Sequence, residues 1–151
     1  MLAELFNDKT NTTNISFNFL KPITLKERNR LKKYIKSLFK KESKSLNSLS
    51  LVFCSDKYLL NINKEFLNHN YYTDIITFDL STDTNLIDAE IYISIERVKE
   101  NAKTFKSTIK TELHRVIFHG VLHLCGYQDK SQSQKTIMRN KEDQALKKYF
   151  N

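Results

Sequence analysis

Apolar and polar positions repeat with two periods along this chain, and the switches between them mark out its elements. Ile15-Ser-Phe-Asn-Phe19 alternates with period two, as a half-buried strand does. Pro22 ends that pattern, and Thr24 is placed to cap a helix over residues 25–41, where Leu31, Tyr34, Ile35, Leu38 and Phe39 recur at helical spacing. A second strand spans residues 48–54, with Leu49, Leu51 and Phe53 on one side and Val52 marking the other. Asp56 is placed to cap a helix carrying Tyr58, Leu59, Ile62, Phe66 and Leu67, which runs into the polar turn Asn68-His-Asn70. Residues 73–79 are rich in β-branched side chains, and a turn over 82–85 separates them from a strand over 90–95, so the two read as a hairpin.

Three helices complete the pattern. Ser94 or Ile95 opens one that runs to about Lys106, with Val98 and Ala102 facing inward. Thr108 opens the next, in which Ile109, Leu113, Val116, Ile117, Val121, Leu122 and Leu124 leave little polar face after Arg115. A helix that apolar is buried, here against the sheet. Residues 131–150 form a last amphipathic helix through Ile137, Met138, Ala145, Leu146 and Tyr149. The order predicts a single α+β domain over residues 1–151, with a mixed sheet of about four strands and the 108–124 helix at its centre.

Charge changes the picture. The net charge of +8 comes from 25 Lys and Arg against 17 Asp and Glu, which favours a polyanionic partner, nucleic acid above all. Much of the excess lies on the polar face of the first helix, at Lys26, Arg28, Arg30, Lys32, Lys33, Lys36, Lys40 and Lys41. Such a face is either simply solvated or set against phosphates. Two cysteines are too few for a disulfide framework; Cys54 reads as a buried thiol and Cys125 faces away from the neighbouring histidines. Met1 to Asp8 lacks the basic start and apolar block of a secretory signal, and no apolar run reaches the roughly 20 residues that span a bilayer. The expectation is a cytoplasmic protein with no membrane partner and no organic cofactor.

The candidate chemistry is concentrated in residues 119–129. Both glycines of the chain, Gly120 and Gly126, lie here, as do His119 and His123. Positions i and i+4 of a helix are about 40° apart around the axis, so both imidazoles project from one face. Gly126 is placed to end the helix in a left-handed turn, after which Asp129 can bring a carboxylate to the same point. The reading is a metal site of His119, His123 and Asp129 with a coordination position left for water, the pattern of a catalytic zinc centre. His69 reads as a loop residue, and His114 points away from the pair.

His119-Gly-Val-Leu-His-Leu-Cys-Gly-Tyr127 resembles the signature of the YbeY family of rRNA maturation endoribonucleases, His-Gly-x-Leu-His-Leu-x-Gly-Tyr-Asp-His. The likeness continues through Thr73-Asp-Ile-Ile-Thr-Phe78, Glu90-Ile-Tyr-Ile-Ser94, Glu96-Arg-Val98, Met138 and Glu142. It implies an α+β fold, a bound divalent metal and metal-dependent hydrolysis of single-stranded RNA. It further implies maturation of the 3′ end of 16S rRNA, with the ribosomal small subunit or its proteins as partners.

Two positions depart from the family pattern. Asp129 stands where the family has its third histidine, with Gln128 where it has aspartate; a carboxylate lowers the site charge by one and shifts a zinc site towards harder ions such as manganese. Leu67 stands six residues before Thr73, where the family places an arginine suited to a phosphate. Lys64, Arg97, Arg115 and Arg139 are the candidate replacements for RNA contact. Two other readings remain. The spacing of His119, His123, Gly126 and Asp129 also fits zinc peptidases, but Gly120 occupies the place of their general-base glutamate. Gly120 is expected instead to leave space beside the ion for a group such as phosphate. A non-catalytic rRNA-binding assembly factor is the other alternative.

Overall fold

A computed structural model describes residues 14–151. The expectations that rest on Met1 to Asp8 lie outside the described residues. Four strands, β1 (Asn14–Phe19), β2 (Ser45–Cys54), β3 (Ile75–Asp79) and β4 (Leu86–Ser94), form one sheet in the order β1-β2-β4-β3. β1, β2 and β4 run parallel, and β3 pairs antiparallel with β4 as the sheet edge. The mixed sheet and the hairpin are therefore as the hydrophobic pattern predicts. Parallel neighbours cannot be joined by a tight turn, so the chain crosses over through α1 (Arg28–Lys41) between β1 and β2.

The remaining helices are α2 (Asp56–Leu67), α3 (Ile95–Thr104), α4 (Ile109–Leu124) and α5 (Gln132–Phe150). Helices α1 and α4 cover the sheet face made by Leu49, Leu51, Phe53, Ile91 and Ile93, all of them buried. On the other face α2 packs Leu59 and Ile62 against Cys54, Ile76, Phe78 and Tyr92. The central position of α4 follows from its apolar surface, which meets α1, α3, α5, β3 and β4. No helix among the described residues is long and apolar enough to cross a membrane.

Several boundaries differ from the pattern-based ones. α1 starts at Arg28 and not at Leu25, because Leu25 is buried beside the sheet and Glu27 takes a left-handed conformation (φ 53°) ahead of the first turn. Thr24 caps nothing. Ser55, not Asp56, caps α2 by accepting from the Tyr58 amide, which leaves the Asp56 carboxylate to pair with Arg97 Nε at 3.1 Å. β2 and β4 extend three and four residues further towards their N-termini, to Ser45 and Leu86, because those two residues pair with each other. Part of the basic face of α1 is already engaged: Arg28 and Lys32 lie over the rings of Phe19 and Phe17, and Arg30 over Tyr149.

His114 does point away from the other histidines on α4. It is buried, its ring stacks on Tyr149, and Nδ1 donates to the Lys110 carbonyl at 2.7 Å. Burial holds its pKa below the ordinary 6.5, only partly countered by that backbone hydrogen bond. A histidine neutral in the fold but free to protonate when unfolded contributes fully above 6.5, and its contribution is lost as pH falls below that value towards the folded pKa. Chemical denaturation of metal-stripped protein should therefore show wild type losing more stability than His114→Phe between pH 7.5 and 5.5. Equal losses would show that His114 is not the titrating group.

Candidate metal centre

Helix α4 carries the two histidines and its termination brings in the third candidate ligand. Thr108 caps its start by accepting from the Thr111 amide, which sets the phase of the helix. At its end Gly126 adopts φ 105°, and its amide and that of Tyr127 bond back to the carbonyls of His123 and Leu122. A side chain at 126 would meet nothing within 4 Å, so the backbone conformation alone calls for glycine there. The chain reverses, and Asp129 Oδ2 comes to 3.3 Å from Nε2 of both His119 and His123, whose own Nε2 atoms are 2.9 Å apart.

The outer nitrogens settle what those inner atoms are. His123 Nδ1 is 2.9 Å from the Tyr127 carbonyl, which can only accept, so Nδ1 carries the proton and Nε2 presents a lone pair. His119 Nδ1 meets Glu142 Oε2 at 2.7 Å in the same sense. Two lone pairs and a carboxylate converging at such distances repel one another unless a cation or a proton lies among them. Around an ion with bonds of about 2.0–2.1 Å, tetrahedral donors stand about 3.3–3.4 Å apart. The two contacts of Asp129 already match, and the imidazole pair needs to open by only a few tenths of an ångström. The donor set therefore fits a divalent ion such as zinc, and the histidine pair backed by a carboxylate and a carbonyl is the outer arrangement such ions favour.

Electrostatics around His119 are dominated by acids. Burial lowers its pKa, but the hydrogen bond and charge of Glu142, with Asp129 and Asp74 behind, outweigh that and raise it above the ordinary value. Glu142 also accepts from Arg115 at 3.1 Å, and Arg115 in turn holds Asp143 at 2.7 Å. Asp74 stands just before β3 with Asn101 Nδ2 on its Oδ2 at 3.2 Å; burial raises its pKa, opposed by the charge of His119.

Gly120 has a different role from the expected one. A β-carbon there would lie 2.8 Å from Ile75 Cδ1 and 2.9 Å from Ile91 Cδ1. It faces the sheet, where the missing side chain lets α4 settle close onto β3 and β4; it does not open space beside the ion. The cleft over the ligands is instead an open one of about 710 Å³, between the end of α4 with its loop and the connection that leads from α2 into β3.

Of the four cations expected to contact RNA, none lines this cleft. Arg115 is tied to Glu142 and Asp143, and Arg97 to Asp56 and the face of Tyr72. Arg139 lies 3.6 Å from Glu142, and Lys64 is exposed on the last turn of α2. Leu67 does line the cleft, and among the described residues the cation that reaches it is Lys130. Pattern reading gave no role to Lys130, Asp74 or Glu142. A signal existed for the last: Glu142 falls with Met138, Ala145 and Tyr149 on the buried side of α5, where an acid needs a partner.

Comparison with known proteins agrees with this geometry. A family model described as Endoribonuclease YbeY matches residues 14–150. A Cytophaga hutchinsonii protein named Endoribonuclease YbeY is 51% identical over 122 residues, covering 81% of this chain and 85% of that one. A Flavobacterium psychrophilum protein of the same name is 47% identical over 133 residues, covering 88% and 94%. The solution structure of TM1509 from Thermotoga maritima superposes with a TM-score of 0.61 at 26% identity, over 89% of each chain. The match takes in the whole described sheet, its five helices and the three residues whose donor atoms converge, and the chain belongs to the Endoribonuclease YbeY family.

Proposed function

We propose that this protein is a metal-dependent endoribonuclease that cleaves single-stranded RNA in the cytoplasm, at the 3′ end of 16S rRNA during maturation of the ribosomal small subunit. The observation that carries the proposal is the convergence of His119 Nε2, His123 Nε2 and Asp129 Oδ2 in an open cleft, each imidazole locked by its other nitrogen. A divalent ion held there, zinc or manganese, would supply Lewis-acid polarisation of the phosphodiester and acidify the attacking water. Two neutral imidazoles and one carboxylate leave such a site with a net charge of about +1, one less than three histidines would, which favours the harder ion.

The other residues act around that centre. Glu142 and the Tyr127 carbonyl keep both imidazoles in the tautomer that presents Nε2. In this reading Asp74, a carboxyl in the cleft wall whose pKa burial raises, would receive the proton of the attacking water. Lys130 offers a cation to the phosphate in a cleft where Leu67 offers none. Peptide hydrolysis is disfavoured, since Gly120 faces the sheet where a metallopeptidase would set its glutamate beside the ion.

The test is a single-stranded rRNA fragment incubated with metal-loaded protein prepared without a metal-binding tag. Cleavage that stops on chelation and returns with zinc or manganese is expected, whereas tight binding without cleavage would favour an assembly factor. In the same preparations Asp129→Ala should hold less metal than wild type, and Asp129→His should retain zinc or bind it more tightly. An alanine variant with undiminished metal content would remove Asp129 from the ligand set.

A further inference from the structure

The connection between α2 and β3 places two aromatic rings in the same cleft as the metal ligands. His69 and Tyr71 are both exposed, Tyr71 at 57%, yet neither is loose. Their rings stack with centroids 5.1 Å apart and planes 22° from parallel, and the Tyr71 hydroxyl and His69 Nδ1 share a hydrogen bond of 3.0 Å. The backbone beneath is pinned from α2. Asn68 ends the helix in a left-handed conformation (φ 56°), and the His69 amide bonds to the Asn63 carbonyl at 3.0 Å. The Asn63 side chain, itself 2% exposed, donates to the Tyr71 carbonyl at 2.9 Å. An aromatic plate already ordered in the free protein loses little further freedom when a ligand lies on it.

The charge of the cleft indicates which part of a nucleotide that ligand is. Among the described residues, Asp74 and Asp79 line it together with the candidate ligand Asp129, against Lys130 as the one cation. Apart from the ion itself, the side chains beside the centre therefore attract phosphate only weakly, and the excess of basic residues lies elsewhere, much of it on α1. What the cleft offers in place of a guanidinium is flat π-surface. Every base has a π-face, so stacking accepts any sequence, and only an unpaired strand can turn a base out onto such a plate.

We infer that the His69–Tyr71 pair is a nucleobase subsite, on which one unstacked base of single-stranded RNA lies beside the bond to be cleaved. The inference rests on the ribonuclease reading and adds to it the element that selects single strands. Tyr71 and His69 are positioning residues in this scheme and take no part in bond breaking.

The experiment uses metal-loaded protein and short single-stranded RNAs carrying 2-aminopurine at successive positions, mixed rapidly so that fluorescence is recorded before turnover. Stacking quenches the probe, and quenching is expected at one position adjoining the cleaved bond. Tyr71→Ala should abolish it and raise KM about ten-fold, with the loss falling on KM rather than kcat. Tyr71→Phe, which keeps the ring, should restore both, and the salt dependence of binding should be unchanged because no phosphate contact is removed. Unaltered quenching and KM in Tyr71→Ala overturn the subsite. Wild-type cleavage without quenching at any position overturns the subsite alone and leaves the ribonuclease standing. Quenching at one position without cleavage supports the subsite and removes the ribonuclease; neither signal overturns both.

Discussion

Replacing His123 with alanine is expected to abolish both metal retention and RNA cleavage. The imidazole supplies one of three donor atoms that converge within 4.8 Å, and its loss leaves His119 and Asp129 as a two-ligand set. Loss of a mere outer partner of a metal ligand costs roughly 10- to 100-fold in affinity, and loss of the ligand itself must exceed that. The fold should survive, because His123 is half-buried at the rim of α4 and the helix is held by Leu113, Ile117, Val121 and the Gly126 turn. Elemental analysis of protein purified without a metal-binding tag, beside a cleavage assay and far-ultraviolet circular dichroism, separates these effects. A folded His123→Ala protein that keeps a full equivalent of metal would dismiss the site, and one that still cleaves RNA after chelation would place the activity elsewhere.

Glu142→Ala is expected to be the most damaging change outside the ligands, because it strikes stability and metal binding together. Its side chain is 6% exposed and takes hydrogen bonds from His119 Nδ1 at 2.7 Å and Arg115 Nη1 at 3.1 Å. Removing it frees His119 to change tautomer or rotate, which should weaken metal binding about 10- to 100-fold. It also strands Arg115, whose side chain is 15% exposed, with Asp143 as its remaining partner. Breaking a buried pair from one side costs about 3–5 kcal/mol, and the surviving contact with Asp143 sets the expectation at the lower end, about 3 kcal/mol. Urea denaturation of the metal-free protein measures the first loss and competition with a chelator the second. Glu142→Gln, which keeps the shape and an acceptor, should recover much of the stability while metal affinity stays reduced. Wild-type metal affinity in Glu142→Ala would mean that His119 needs no support from α5.

These two residues also mark the division between what is legible along the chain and what is not. His123 stands out in sequence because everything that defines it is local: the i, i+4 spacing, the glycine three residues on and the carboxylate six residues on. Whereas the caps expected at Thr24 and Asp56 are not the ones used, the helix starts at Thr108 and Ser131 are legible for the same reason. So are the strand and helix periods, and with them the α+β class and the strand count. Local hydrogen bonds and a repeating buried face need no knowledge of the partner.

Glu142 is different, because its bond to His119 spans 23 residues and joins two helices whose relative phase is set only when both pack. The same holds for Gly120, whose lack of a side chain makes sense only against Ile75 and Ile91 of the sheet. It holds for Ser45 and Leu86, which become strand because they face one another, and for Glu27, bent to bury Leu25. The cations show the limit most plainly. Arg97, Arg115 and Arg139 are equal candidates by residue type, but ion pairing on other elements keeps Arg97 and Arg115 out of the cleft, and Lys130 enters it by lying just beyond Asp129. The elements, the helix of the two histidines and the three converging donors can be read along the chain, because these follow from spacing within a turn or two. Strand order, the carboxylate behind His119, the close seating of α4 and the lining of the cleft were decided by tertiary packing alone, because each is a contact between side chains that only the folded core brings within reach.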